Sequence, residues 1–260
     1  MATSGCTSYF KRKECEKTNW FEHGKTVSER GEWLESDPFL NECRKVEAEI
    51  QESQLDLGFK SGRQKYCSKE NSFAVGRKGR LFAKDLCQGP ELTMLLSQHK
   101  SGVLEYCKSE NAMEAGLSGL PYLNVCTTEQ EKKFLPPFRV GRVKYLEANI
   151  AEKERQRSSI DEKVRALDRD RLTLEGRRRH LQAQKNSLES RKFMYASNPA
   201  ADSQHHASML SGQISSLESD IMSLGSQINA LDSQGRNERA AAEALEQEIS
   251  KMRIEAATLK

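Results

Sequence analysis

The sequence predicts an all-α protein, a small disulfide-tied helical head followed by a long antiparallel coiled-coil hairpin. Three observations predict it. Leucine and isoleucine alternate at steps of four and three through Leu210, Ile214, Leu217, Ile221, Leu224, Ile228 and Leu231, and again at Leu245, Ile249 and Met252. This is a heptad seam with Ile at one core position and Leu at the other. All seven cysteines, Cys6, Cys15, Cys43, Cys67, Cys87, Cys107 and Cys126, fall in the first half. Within that half, residues 66–87 are echoed by residues 106–126.

Composition sets the limits. The chain has 260 residues, a net charge of +3 and only 7% aromatic residues. So little apolar matter cannot fill one large core, and a rod with a narrow seam fits better than a globular enzyme. A near-neutral balance argues against a dedicated nucleic-acid binder. No stretch is long and apolar enough to span a membrane, and no apolar export segment precedes residue 10. No two cysteines form a Cys-x-x-Cys knuckle, so a structural zinc site is not expected. Dispersed cysteines in a core-poor region read as a disulfide framework, which needs an oxidising compartment.

Taken in order, residues 1–14 are a polar, flexible N-terminal segment. The cysteine-rich head follows at 15–135, with Trp20 as a packing anchor. A helix is expected from Arg44 to Tyr66, with Val46, Ile50, Leu57 and Phe59 as its apolar residues. The repeat comes next. Tyr66-Cys67-Ser-Lys-Glu70-Asn71 leads to Gly76, Gly79 and Cys87, and Tyr106-Cys107-Lys-Ser-Glu110-Asn111 leads to Gly116, Gly119 and Cys126. Lys60-Ser-Gly62 and Lys100-Ser-Gly102 precede the two copies. That many shared positions indicate an internal duplication.

In each unit a helix ends near Tyr-Cys. The Asn side chain suits a turn, and the glycines permit positive φ or a close approach of two backbones. Six cysteines allow 15 connectivities. The duplication favours Cys67 with Cys87 and Cys107 with Cys126, because each unit then closes on itself, leaving Cys15 with Cys43. The glycine pairs do not read as a phosphate cradle, because no strand precedes them and no Lys-Ser/Thr follows.

Thr127 and Thr128 look like a helix start. Pro136-Pro137 is expected to interrupt that helix, so that Arg139 opens the first arm of a hairpin covering 136–260. The first arm carries the looser seam Leu146, Ile150, Ile160, Val164, Leu167, Leu174, Leu181 and Leu188. Arg157, Arg171, Arg178 and Lys185 share one of its core positions and can lay their methylenes on the seam. The tip is placed near 194–206, where Asn198-Pro199 breaks the helix. Each arm is roughly 50 residues, about 75 Å of helix. The first arm is basic and the second mildly acidic, which favours pairing within one chain. Gly235 interrupts the second arm and costs about 1 kcal/mol against Ala, so a bend or a thin point is expected there.

The first half resembles a family of bacterial envelope lipoproteins, domain of unknown function 2799. The likeness rests on Cys6, Cys15 with Asn19-Trp20 and Gly24, Cys43, Gly62-Arg63 with Tyr66-Cys67, and Glu110-Asn111. It continues through Gly116, Gly119, Tyr122 with Val125-Cys126, and Gly141-Arg142 leading into a helix. It covers roughly residues 6–150. Two positions depart from the pattern: Asn19 stands where Asp is usual, and Lys25, Thr26, Val27 and Ser28 occupy the place of an Asp-Gly pair. The resemblance implies export, a lipid anchor and a helical tail, and it supplies no reaction. Ser4-Gly5-Cys6 is similar to the end of a lipoprotein processing site, which makes Cys6 the candidate lipid attachment residue, given a leader upstream of Met1.

No nucleophile, base and orienter set is visible. His205-His206 reads as a solvated tip, and Gly176-Arg-Arg-Arg-His180 as a solvated face of the coil. The expectation is therefore a non-catalytic cell-envelope protein without cofactor, a scaffold or spacer in the periplasm or at the outer membrane. Its implied partners are the membrane, reached through a lipid anchor, and an envelope protein. Homo-oligomers of whole hairpins stay open, and nucleic acid is not expected. The alternatives are a cytosolic coiled-coil protein that binds nucleic acid through its basic arm and, more weakly, an enzyme in the head.

Overall fold

The computed structural model describes residues 4–197 and 200–260. The described residues are 83% helical, with no strand among them. Its contacts divide it into a head, Met1–Tyr145 with Leu259–Lys260, and a hairpin, Leu146–Thr258.

The head contains α1 (Ser4–Glu16), α2 (Trp20–Glu29), α3 (Pro38–Lys45), α4 (Glu52–Tyr66), α5 (Lys69–Arg77), α6 (Leu92–Tyr106), α7 (Ala112–Leu117) and the first turns of α8 (Thr128–Ala196). The segment expected to be flexible is thus helical from Ser4. Side chains cap the helix starts. Asn19 accepts from the Glu22 N–H, Asp37 from Leu40 and Ser68 from Asn71. Thr127 and Gln130 form a reciprocal capping box ahead of α8.

The helix expected over Arg44–Tyr66 is two helices. α3 ends in a Schellman turn, with Glu47 at φ 52° and the Ala48 N–H bonded to the Cys43 carbonyl. Val46 and Ile50 pack beside the cluster around Trp20 without being helical. A glutamate in the left-handed region leaves no local signal, so the four-residue spacing imitated a helix.

Helix α8 runs straight through Pro136 and Pro137, which corrects the expected interruption. The prolines remove the N–H donors to the carbonyls of Lys132 and Lys133, two exposed residues whose carbonyls water can satisfy. On the other face Phe134 and Phe138, four residues apart, are buried and hold the turn in place. The head therefore reaches Tyr145 rather than ending at 135.

In the hairpin, α8 pairs with α9 (Ala201–Leu259). Ion pairs between the arms join Lys153 to Glu248, Arg157 to Glu246, Asp168 to Arg239, Arg171 to Asp232 and Lys185 to Glu218. As one residue number rises the other falls in step, so the arms are antiparallel. Leu210, Ile214, Leu224, Ile228, Ile249 and Ala256 are buried along the seam. Of the four cations assigned to the first arm's core position, Arg171 and Lys185 are half-buried, whereas Arg157 and Arg178 are exposed. Gly235 lies buried inside an unbroken α9, so no break marks it. The breaker Asn198-Pro199 lies outside the described residues. α9 begins at Ala201, which places His205 and His206 on a helix rather than in a loop.

Candidate functional site

The head is built three times from one device, a pair of helices in backbone contact. α2 packs on α4, α5 on α6, and α7 on the start of α8. In the second pair, a methyl added at Gly76 would strike the His99 carbonyl, and one added at Gly102 would strike the Phe73 carbonyl. The third pair repeats this with Gly116 against Phe138 and Gly141 against Met113. In the first pair Gly62 approaches the Lys25 carbonyl and the buried Ser28, and one further turn adds Gly24 against Leu55 and Gly58 against Phe21. Only residues without a Cβ let two helix backbones come this close.

A tyrosine then closes each pair. Gly79 has φ 66° and lies under the ring of Tyr106, and the Arg80 N–H bonds back to the Val75 carbonyl in a Schellman cap. Gly31 under Tyr66 and Gly119 under Tyr145 are likewise left-handed, at φ 80° and 79°. Each tyrosine comes four residues after its packing glycine: Gly62 and Tyr66, Gly102 and Tyr106, Gly141 and Tyr145. Two copies of this pattern are marked in the sequence by Tyr-Cys, at Tyr66-Cys67 and Tyr106-Cys107. The missed third copy ends in Leu146 where the others have cysteine, so its signal was the Gly-x-x-x-Tyr spacing without the cysteine beside it.

Disulfides join Cys15 to Cys43, Cys67 to Cys87 and Cys107 to Cys126, the pairs that the duplication favours. Each disulfide sits in its own small apolar cluster, around Trp20, Leu40 and Leu55, around Phe59, Leu86 and Leu95, or around Phe134 and Phe138. The Asn71 and Asn111 amides donate to the carbonyls of Tyr66 and Glu105 at 2.8 Å and tie off the ends of α4 and α6. In the first pair, buried Asp37 gathers the Leu40 N–H at 2.8 Å, His23 Nε2 at 2.9 Å and Arg30 at 3.3 Å. Trp20 is buried, as expected of an anchor, with its ring edge-on to His23. Asn19 performs the cap that an aspartate would perform.

The tyrosine hydroxyls differ between copies. Tyr66 accepts the Ala83 N–H at 2.9 Å, and its ring stacks on Phe82. Tyr106 is 7% exposed, and its hydroxyl has no protein partner among the described residues. Burial pushes that hydroxyl up to about 12. Tyr106 borders a cleft of about 510 Å³ beside α5 and α7, together with Arg77, Lys78, Arg80, Asn111 and Glu114. Tyr122 is likewise pushed up to about 12, first by burial and then by its 2.7 Å hydrogen bond to Glu131.

The remaining candidates stand apart. Cys6 lies in α1, and its side chain is outside the described residues. His205 and His206 have ring centroids 6.4 Å apart, and His206 packs near Tyr195. Arg177, Arg178, Arg179 and His180 are exposed on α8. Among the described residues no group of three or more His, Cys, Asp or Glu could hold a metal ion, and no helix is long and apolar enough to cross a membrane.

No curated protein and no solved structure matches the chain. The model of the family "Protein of unknown function (DUF2799)" matches twice, over residues 19–98 and 90–143. Two overlapping matches agree with related helix pairs that follow one another. Both fall within the disulfide-tied head, so residues 19–143 of this chain match the model of the family "Protein of unknown function (DUF2799)".

Proposed function

We propose that the protein is a non-catalytic component of the cell envelope, anchored by lipid on Cys6, with a disulfide-tied head and a hairpin that spaces or scaffolds an envelope partner. The observation that carries this reading is the distribution of cysteines. Six are consumed in three disulfides within the head, which requires an oxidising compartment, and the seventh stands apart near the N-terminus. Most of the described buried apolar side chains of the head are gathered into three small clusters, one around each disulfide. The hairpin offers two long paired helices and an exposed surface along them.

The test is metabolic labelling with a clickable fatty acid in a Gram-negative host that expresses the full gene product, followed by fractionation. Label in the membrane fraction that is lost in Cys6→Ser supports the reading. Unlabelled protein with free thiols in the cytosol overturns it. One observation favours a second reading. Arg177, Arg178 and Arg179 are exposed and make no ion pair among the described residues, so a cytosolic form could bring them to nucleic acid. The expected outcome is no binding at physiological salt. A tight complex whose affinity falls steeply with salt would reverse the ranking.

A further inference from the structure

We infer that the cleft beside α5 and α7 is a binding site for a small organic anion carrying a carboxylate or phosphate group. The inference goes beyond the scaffold reading and does not depend on where the protein resides.

The first support is the contrast between repeated tyrosines. In one copy the chain returns Ala83 to Tyr66 and satisfies its hydroxyl. In the next copy the returning chain carries Tyr122, whose hydroxyl accepts the Cys126 N–H and donates to the Glu131 carboxylate instead. The Tyr106 hydroxyl is left as a donor with no protein acceptor, on a ring more than nine-tenths buried. The hydroxyl oxygen is not sealed from solvent, so its acceptor must come from the cleft, as water or as a ligand.

The second support is charge. Arg77, Lys78 and Arg80 line the cleft and form no ion pair among the described residues. Glu105 acts on Arg77 only at longer range, being paired with Lys108. Glu114 is the single carboxylate of the lining. Three cations against one anion leave the site basic, and Arg and Lys are the usual partners of carboxylate and phosphate oxygens. The third support is size: about 510 Å³ lies within the range of small-molecule pockets. Glu114 and the free side-chain carbonyl of Asn111 would accept from the ligand's own hydroxyl or amine, which favours a hydroxy acid, amino acid or sugar phosphate over a bare ion.

Oxidised full-length protein is titrated with citrate and, separately, with glycerol 3-phosphate at constant ionic strength, followed by amide NMR shifts. The expected result is a saturable shift at residues 77–80 and 106–118 with at least one probe. The probe that binds identifies a carboxylate or a phosphate source. Arg80→Gln should weaken binding about tenfold and Tyr106→Phe about fivefold. Arg236→Gln, on the hairpin, should leave affinity unchanged. Tyr106→Phe keeps the ring on Gly79, and folding of each variant is checked by its unperturbed spectrum elsewhere. No saturable shift at millimolar concentration with either probe overturns the inference. So does equal binding by Tyr106→Phe and Arg80→Gln.

Discussion

Head and hairpin are both helical, yet their helices are joined in opposite ways. In the head, neighbouring helices touch backbone to backbone at glycines, and disulfides hold three small cores. In the hairpin, the arms meet through a narrow stripe of Leu and Ile flanked by exposed ion pairs. The head therefore tolerates almost no added volume at its crossing points, whereas the hairpin has open space at Gly176, Gly212 and Gly225. Helix content alone does not tell how a helical region will respond to change.

Reduction should separate the two most widely. Each head disulfide closes a loop of 19 to 28 residues and should contribute about 3 kcal/mol. With reductant, far-UV dichroism should show the head melting early while most of the hairpin's helix survives. Simultaneous melting of both would break the comparison.

Glycine substitutions should act with opposite signs. Gly102→Ala should destabilise the head by about 2 kcal/mol or more, because its methyl meets the Phe73 carbonyl. Gly225→Ala should stabilise the hairpin by about 1 kcal/mol, since nothing lies near and Ala is the better helix former. Denaturant melts of the two variants read both numbers.

Alkali should act mainly on the head, since among the described residues of the hairpin only Lys185, through its pair with Glu218, is raised above its ordinary value. Tyr106 and Tyr122 are raised from 10 to about 12, so their folded values exceed the unfolded ones. The stability they provide is intact below pH 10 and is lost as pH rises through about 12. Tyrosinate absorbance should show a late phase in that window, accompanied by loss of head structure. Titration of every tyrosine near 10 would remove this difference.

The smallest effect should come from the hairpin's charges. A double-mutant cycle on Asp168 and Arg239, which lie 2.9 Å apart and half exposed, should give about 0.5 kcal/mol, shrinking with salt. A coupling several times larger would mean that the rim, and not the seam, holds the arms.

Much of this contrast was legible in the sequence. The seam was written in Leu and Ile at heptad spacing, and the pairing partners followed from the repeat around Tyr66-Cys67 and Tyr106-Cys107. Local exceptions were not legible. Glu47 in a left-handed cap, and Pro136-Pro137 carried on a solvent-facing turn, each obey tertiary packing over local preference. The third copy of the unit escaped because Leu146 replaces the marker cysteine. The cleft escaped because its defining feature, a Tyr106 hydroxyl with no protein partner among the described residues, is visible only when Tyr66 and Tyr106 are compared in place.

The order of the disulfides bears on how the chain acquires them. From Cys15 onward each bond joins cysteines that are next to one another in sequence. A chain threaded N-terminus first past an oxidant would form every bond as its second cysteine emerged, with no later reshuffling and no need of an isomerase. Cys6 spoils that simplicity, because it would emerge first and offer itself to Cys15. If the Cys6 sulfur were blocked before export, as a thioether to a lipid would block it, that competition would vanish and vectorial oxidation would lead straight to the native set.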